Sequence, residues 1–120
     1  MLKRFLKSLK YSLRGLKYAL ISEQNFRIQI ITAIVVIVGM IYFPLQALEI
    51  VVILIMIILV LTMEILNTAL EYFTDLLKPR LHSYVYTIKD LMAAAVLLSS
   101  IGAFIVGLII FLPYILDFKL

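Results

Sequence analysis

Leu2, Leu6, Leu9, Leu13, Leu16 and Leu20 recur at alternating spacings of four and three, and Lys3, Lys7, Lys10, Arg14 and Lys17 follow the same rhythm one step on. At 3.6 residues per turn this draws an apolar stripe beside a cationic one, which predicts an amphipathic helix over residues 1–22 lying in the plane of a membrane surface. Beyond it the pattern changes from two-faced to apolar all round. Ile28–Phe43, Ile50–Met63 and Leu91–Leu116 are long hydrophobic runs, each compatible with the ~20 residues a spanning helix needs once it extends into the polar interface. The expected elements are a surface helix over 1–22 and spans over 23–43, 48–77 and 87–116.

Prolines punctuate this plan. Pro44 stops the first span and Pro79 the second, because proline lacks a backbone donor and disfavours helix in the residue before it. Along the third span Ala95, Ser99, Ala103 and Gly107 form a ridge of small residues at intervals of four, which predicts close helix packing between subunits.

Composition turns this pattern into a fold class. The chain has 120 residues, 65% hydrophobic and 15% charged, with a mean hydropathy of +1.17, too apolar for a water-soluble domain of this size. The expectation is a single all-α integral membrane domain without repeats or a second domain. Absence of cysteine excludes disulfide frameworks and thiolate chemistry. A cleavable signal peptide is set aside, because the basic region runs on to Arg27 and no small-residue cleavage pattern follows.

Charge sets the orientation. Lys3, Arg4, Lys7, Lys10, Arg14 and Lys17 precede the first span with no acid among them, the Pro44–Gln46 connection has no cation, and Lys78, Arg80 and Lys89 cluster around the second connection. The positive-inside rule places the N-terminus and the second connection in the cytoplasm and the C-terminus outside.

One group of residues resists this purely structural account. Glu64, Asn67, Thr68, Glu71 and Asp75 end a strongly apolar run, although an Asp at a helix centre costs about 2.5–3.5 kcal/mol on insertion. At 100° per residue, Glu64, Asn67, Glu71 and Asp75 fall within about 80° of one face, spread over about 16 Å of rise. Three carboxylates on one face repel one another unless a cation joins them. Magnesium fits, since it takes oxygen ligands, keeps waters and uses one or two protein carboxylates with substrate phosphates. Lys89 and Asp90 at the third span and Glu23, Asn25 and Arg27 at the first lie at the same depth. Neither G-x-x-x-x-G-K-[ST] nor G-x-G-x-x-G occurs, which excludes the soluble phosphate-cradling scaffolds.

These residues carry a resemblance. Glu64-Ile65-Leu66-Asn67-Thr68-Ala69-Leu70-Glu71 followed by Asp75, then Lys89-Asp90 before Ala93-Ala94-Ala95-Val96-Leu97-Leu98, with Tyr11-Ser12, Gly15-Leu16, Glu23 and Phe26-Arg27 upstream, resemble the prokaryotic diacylglycerol kinase and undecaprenol kinase family over residues 4–113. The resemblance implies an integral-membrane phosphotransferase that moves the ATP γ-phosphoryl group to a lipid alcohol in a bacterial cell membrane. It further implies a homotrimer with sites between subunits and no nucleic-acid partner. Carried onto this chain, it makes Glu64 the general base and Glu23 and Glu71 the Mg2+ ligands. Arg4, Tyr11, Glu23, Asn67, Glu71, Asp75, His82, Lys89 and Asp90 then contact the nucleotide, and Glu64, Arg27, Ser12 and Gly15 the acceptor.

Departures from the family pattern guide the choice of acceptor. Ile28-Gln29 stand where the diacylglycerol-specific branch has a polar, acidic pair, so undecaprenol is expected ahead of diacylglycerol; Ala95 replaces a frequent glycine, and Arg80-Leu81 differ from the usual residues there. Two rival classes compete: a small proton-coupled transporter, which would place its acids near the bilayer midplane, and a structural subunit, whose acids would be caps and interface pairs. Glu49 and Asp117 are read as outer-interface residues.

Overall fold

The computed structural model describes residues 1–78, 80 and 82–117; Pro79, Leu81, the His82 side chain and residues 118–120 lie outside the described residues. The described chain is helical nearly throughout: α1 (Leu2–Ser22), α2 (Gln24–Tyr42), α3 (Ala47–Leu77) and α4 (His82–Asp117). The last three are long and apolar enough to cross a membrane. The all-α reading with three spans and an amphipathic first helix is therefore observed.

Each boundary has a local cause. Glu23 separates α1 from α2 with an extended backbone (φ −111°, ψ 109°), at the point where the two-faced pattern gives way to the apolar one. Arg27 fastens this break: its guanidinium donates to the carbonyls of Leu20 at 2.9 Å and Ile21 at 2.7 Å, satisfying the end of α1 with a cation suited to the negative helix terminus. Phe43 and Lys78, each followed by proline in the sequence, are extended at ψ 148° and ψ 143°. At the start of α3, the Gln46 N–H donates to Glu49 Oε1 at 3.0 Å, the reciprocal half of a capping box.

α4 begins at His82, five residues before the expected start at 87. Hydropathy marks where lipid begins, whereas the helical hydrogen-bond ladder continues through the polar layer to the connection. Pro113 lies inside α4. A missing donor there is tolerable because neighbouring groups in a spanning helix can satisfy the freed carbonyl.

Packing is uneven. The α3–α4 pair makes the most extensive interhelical contact, while α1 touches α2 near the break and places Tyr18 edge-to-face against Tyr72 of α3, with ring centroids 5.7 Å apart. Ala19, Phe26, Glu64, Thr68, Thr74 and Val85 are buried, bringing all four helices together around the end that holds the α1–α2 break. At the opposite end Gly39 lets α2 approach α4, since a Cβ there would stand 3.3 Å from Phe111. Within one chain the two glycines of α4 have different surroundings. Gly102 rather than Gly107 meets α3, through Met56, and a Cβ at Gly107 would face open space.

The molecule measures 60 × 42 × 23 Å, so its thin dimension is about two helix diameters. Such a slab cannot cover its own apolar surfaces. Ile31, Val35, Ile41, Leu98, Phe104 and Ile109 are all more than half exposed and point to lipid or to other copies of the chain.

Candidate functional site

α3 supplies the axis of the site. Glu64 is only 1% exposed although it lies in an apolar helix, and its carbonyl accepts the Thr68 hydroxyl at 3.0 Å. Its carboxylate Oε2 accepts a hydrogen bond from Gln29 Nε2 of α2 at 3.4 Å. The negative charges of Glu23 and Glu71 both act on it, so acids from the α1–α2 break and from two turns further along α3 lie within electrostatic reach of one centre. The helical geometry explains the second, because residues seven apart return to one face.

These acids are sparingly compensated. Glu71 accepts from Asn67 Nδ2 at 3.3 Å, a contact between neighbouring turns. Glu23 is half-buried, and its side chain neither caps α2 nor pairs with a cation among the described residues. Thr74, fully buried, spends its hydroxyl on the Glu71 carbonyl at 3.0 Å. Carboxylate oxygens of Glu23 and Glu71 are thus left with capacity for an external donor or cation.

Towards the C-terminal end of α3, Asp75 and Lys89 form an ion pair at 2.6 Å between α3 and α4, the one salt bridge among the described residues. Lys89 also lies within electrostatic reach of Glu71, so one cation serves both acids. Asp90 follows it on an exposed position of α4.

Other expected site residues stand apart. Arg4 and Tyr11 are exposed on α1, about 28 Å and 18 Å of helix rise from Glu23, and Arg14 lies over the Tyr11 ring at 5.5 Å. Ser12 is exposed, with its hydroxyl returned to the Ser8 carbonyl at 2.9 Å. Gly15 faces Tyr72 and Thr68 across a small apolar gap between α1 and α3. Arg27 is engaged with α1 carbonyls, as described above. His82 was expected at the nucleotide, and its side chain lies outside the described residues.

Two features escaped the sequence reading. Gln29 was noted only as a departure from a family pattern, whereas it is the amide that meets Glu64; the available signal was a lone amide in the Ile28–Phe43 run. Glu49 takes the Tyr114 hydroxyl hydrogen bond between the start of α3 and the end of α4, a link over 65 residues of sequence. Tyr114 and Phe111 also pack around Phe43, so this outer cluster is a structural clamp.

Among the described residues no three His, Asp or Glu side chains are close enough to ligate one ion. Glu23 and Glu71 nevertheless suit a hydrated magnesium that arrives with phosphates, because such an ion needs only one or two protein carboxylates.

The family described as prokaryotic diacylglycerol kinase matches residues 10–111. The chain belongs to this family of lipid kinases. It is 38% identical over 111 residues to the diacylglycerol kinase of Synechocystis sp., covering 92% of this chain and 63% of that protein. It is 33% identical to the undecaprenol kinase of Bacillus subtilis, covering 93% of this chain and 91% of the relative. With the diacylglycerol kinase of Escherichia coli K12 it shares 32% identity over 85% of this chain and 84% of that one. The chain spans less than two thirds of the Synechocystis protein's length.

Proposed function

We propose that this chain is an ATP-dependent lipid kinase that phosphorylates the hydroxyl of a membrane lipid alcohol, undecaprenol in preference to diacylglycerol. The observation that carries the reading is Glu64: an acid 1% exposed within an apolar helix, contacted by an amide and flanked by two further acids. A carboxylate serving only as a cap would sit wet at a helix end. Membership of a kinase family and relatives named for two lipid alcohols support the same reading.

In the proposed reaction the acceptor O–H bond breaks and its proton passes to the Glu64 carboxylate. The hydroxyl oxygen forms a bond to the γ-phosphorus, and the bond to the β–γ bridging oxygen breaks with its electron pair leaving on ADP. Glu23 and Glu71 would hold Mg2+, which when bound offsets charge on the transferring phosphates. Asn67, Asp75, Lys89 and Asp90 would orient the nucleotide, with Lys89 as the cation facing its phosphates.

Arg4 and Tyr11 lie about 28 Å and 18 Å of helix rise along α1 from Glu23. A homotrimer supplies a reason for their assignment: the surface helix of a neighbouring copy would bring them to the nucleotide, with the thin, apolar-faced slab covered in the same assembly. Ser12, Gly15 and Arg27 would border the acceptor's entry. The cationic N-terminus and the α3–α4 connection face the cytoplasm, where ATP is supplied, and the C-terminus lies outside.

The test is transfer of radiolabel from ATP to undecaprenol, diacylglycerol and ceramide offered side by side to the purified protein in lipid. Undecaprenol is expected to accept most, and diacylglycerol as the better acceptor would favour the activity named for the Synechocystis and Escherichia coli relatives. No phosphorylated product from any of the three ends the proposal.

A further inference from the structure

α1 has three faces rather than two. At 100° per residue the leucines occupy one sector and the cations a second, while Gly15, Tyr18 and Ala19 fall within about 100° of one another in the third. This third face turns to α3. Tyr18 meets Tyr72 edge-to-face at 5.7 Å, Ala19 is 3% exposed, and a gap of about 180 Å³ lies between Gly15 and Ala19 on α1 and Ile65, Thr68 and Ala69 on α3. The seam is loosely filled, since a Cβ on Gly15 would meet nothing within 4 Å. Among the described residues no hydrogen bond or ion pair joins α1 to α3. Close packing is what holds two helices in register, so with this much open space the ring contact is left as the tie between them.

Both rings stand next to acids of the site. Tyr72 follows Glu71 directly, and Tyr18 precedes Glu23 by about 7.5 Å of rise, with the neighbouring Ala19 carbonyl accepting the Glu23 N–H at 3.0 Å. Glu23 is the single residue between α1 and α2, so it is where the direction of α1 can change.

We propose that Tyr18 and Tyr72 are positioning residues for the metal-holding acids: their ring contact latches α1 onto α3 and so sets Glu23 opposite Glu71. This rests on the magnesium role proposed above for those two acids. With the latch made, a carboxylate from the end of the surface helix and one from α3 are held together near Glu64. With it released, α1 pivots at Glu23 and the two acids lose the register that one shared ion needs. Rings suit this place better than an ion pair, because a cationic side chain here would compete with the metal for the same carboxylates. Their exposure fits a latch as well. At 43% and 57% exposed the rings bury little area, and the directional contact that remains shifts an equilibrium only about two- to tenfold. A tie of that size can break and re-form each time a nucleotide enters and leaves.

The experiment uses the full chain in lipid nanodiscs. Tyr18→Leu and Tyr72→Leu remove one ring each, and the Mg2+ concentration for half-maximal activity is expected to rise about two- to tenfold, the weight of one ring pair, while KM for the alcohol stays unchanged. Together the two substitutions should cost no more than either alone, because each already breaks the contact. Tyr18→Phe and Tyr72→Phe keep the rings and should behave as the wild type. A second readout needs no turnover. The chain has no cysteine, so spin labels at Lys7→Cys on α1 and Leu76→Cys on α3, in copies diluted with unlabelled chain, report one distance. That distance should be narrowly distributed while both tyrosines are present, broaden in Tyr72→Leu, and narrow again on adding MgADP, since coupling between latch and metal is reciprocal. A distribution that ignores Tyr72→Leu, additive losses in the double variant, or an alcohol KM that rises alongside the Mg2+ requirement overturns the latch. Phenylalanine variants that behave like the leucine ones, or leucine variants that no longer assemble, overturn it too. The expected label response without any phosphorylated lipid upholds the latch and overturns the kinase reading, whereas phosphorylation with an unchanged Mg2+ requirement in both leucine variants overturns the latch alone.

Discussion

Glu64→Gln should separate folding from catalysis, because the two respond in opposite directions. The substitution keeps the shape of a side chain that is 1% exposed and leaves an oxygen to accept from Gln29 Nε2. It removes a charge that has one long contact, 3.4 Å, and two like-charged neighbours, Glu23 and Glu71. Burying an ion costs several kcal/mol before compensation, whereas an amide costs about 1–3 kcal/mol and is partly satisfied here. Stability should therefore hold or rise by about 1 kcal/mol. Turnover should fall about 10²–10⁴-fold, the usual contribution of a general base, equivalent to about 3–5 kcal/mol of barrier. Thermal unfolding in detergent and single-turnover transfer from ATP measure the two quantities on one preparation. Turnover within threefold of wild type would refute the assignment of Glu64 as base, and lost activity with lost assembly would make it a structural acid.

The remaining predictions address the surroundings. Glu23→Gln and Glu71→Gln should each raise the Mg2+ concentration needed for half-maximal activity, read by metal titration at fixed ATP, with little change in the alcohol KM; unchanged metal dependence would remove both from the ion. Exchanging Asp75 and Lys89 through Asp75→Lys with Lys89→Asp restores an ion pair between α3 and α4, so the fold should survive while activity is lost, since the cation proposed to face the phosphates has moved; recovered turnover would make the pair purely structural. Tyr114→Phe breaks the link to Glu49 and should lower the unfolding temperature while leaving turnover unchanged, because Glu49 lies about 22 Å of helix rise along α3 from Glu64.

How far the sequence speaks depends on the range of the interaction. The α1–α2 break was legible because a change of hydrophobic period is local, and the extended Phe43 and Lys78 follow from the proline after each. The acidic face of α3 was legible too, since helical geometry alone places Glu64, Asn67 and Glu71 together. Contacts between helices were not. Nothing in the separate segments gives the register that puts Lys89 against Asp75, or Tyr114 against Glu49. Gln29 was hidden by averaging, as one amide hardly changes the hydropathy of a run of apolar residues. Arg27 is open to two readings, because a cation near a substrate entry and a cation capping α1 leave the same mark in the sequence; the structure shows the cap.

The position of the helix break gives these observations a common cause. A carboxylate in the middle of a regular helix can serve only the face on which that helix presents it, and the backbone around it is already satisfied. Glu23 stands instead between two helices, and Arg27 supplies the hydrogen bonds that the end of α1 would otherwise lack. Its side chain is thereby freed from capping and can face Glu64 from the membrane surface. The same break joins the amphipathic helix to the first apolar one, so Glu23 stands where a polar face gives way to a lipid-facing one. The reaction proposed above joins a soluble nucleotide to an insoluble alcohol and needs such a junction, and in this chain Glu23 at the break and Gln29, six residues later on α2, both act on the buried Glu64.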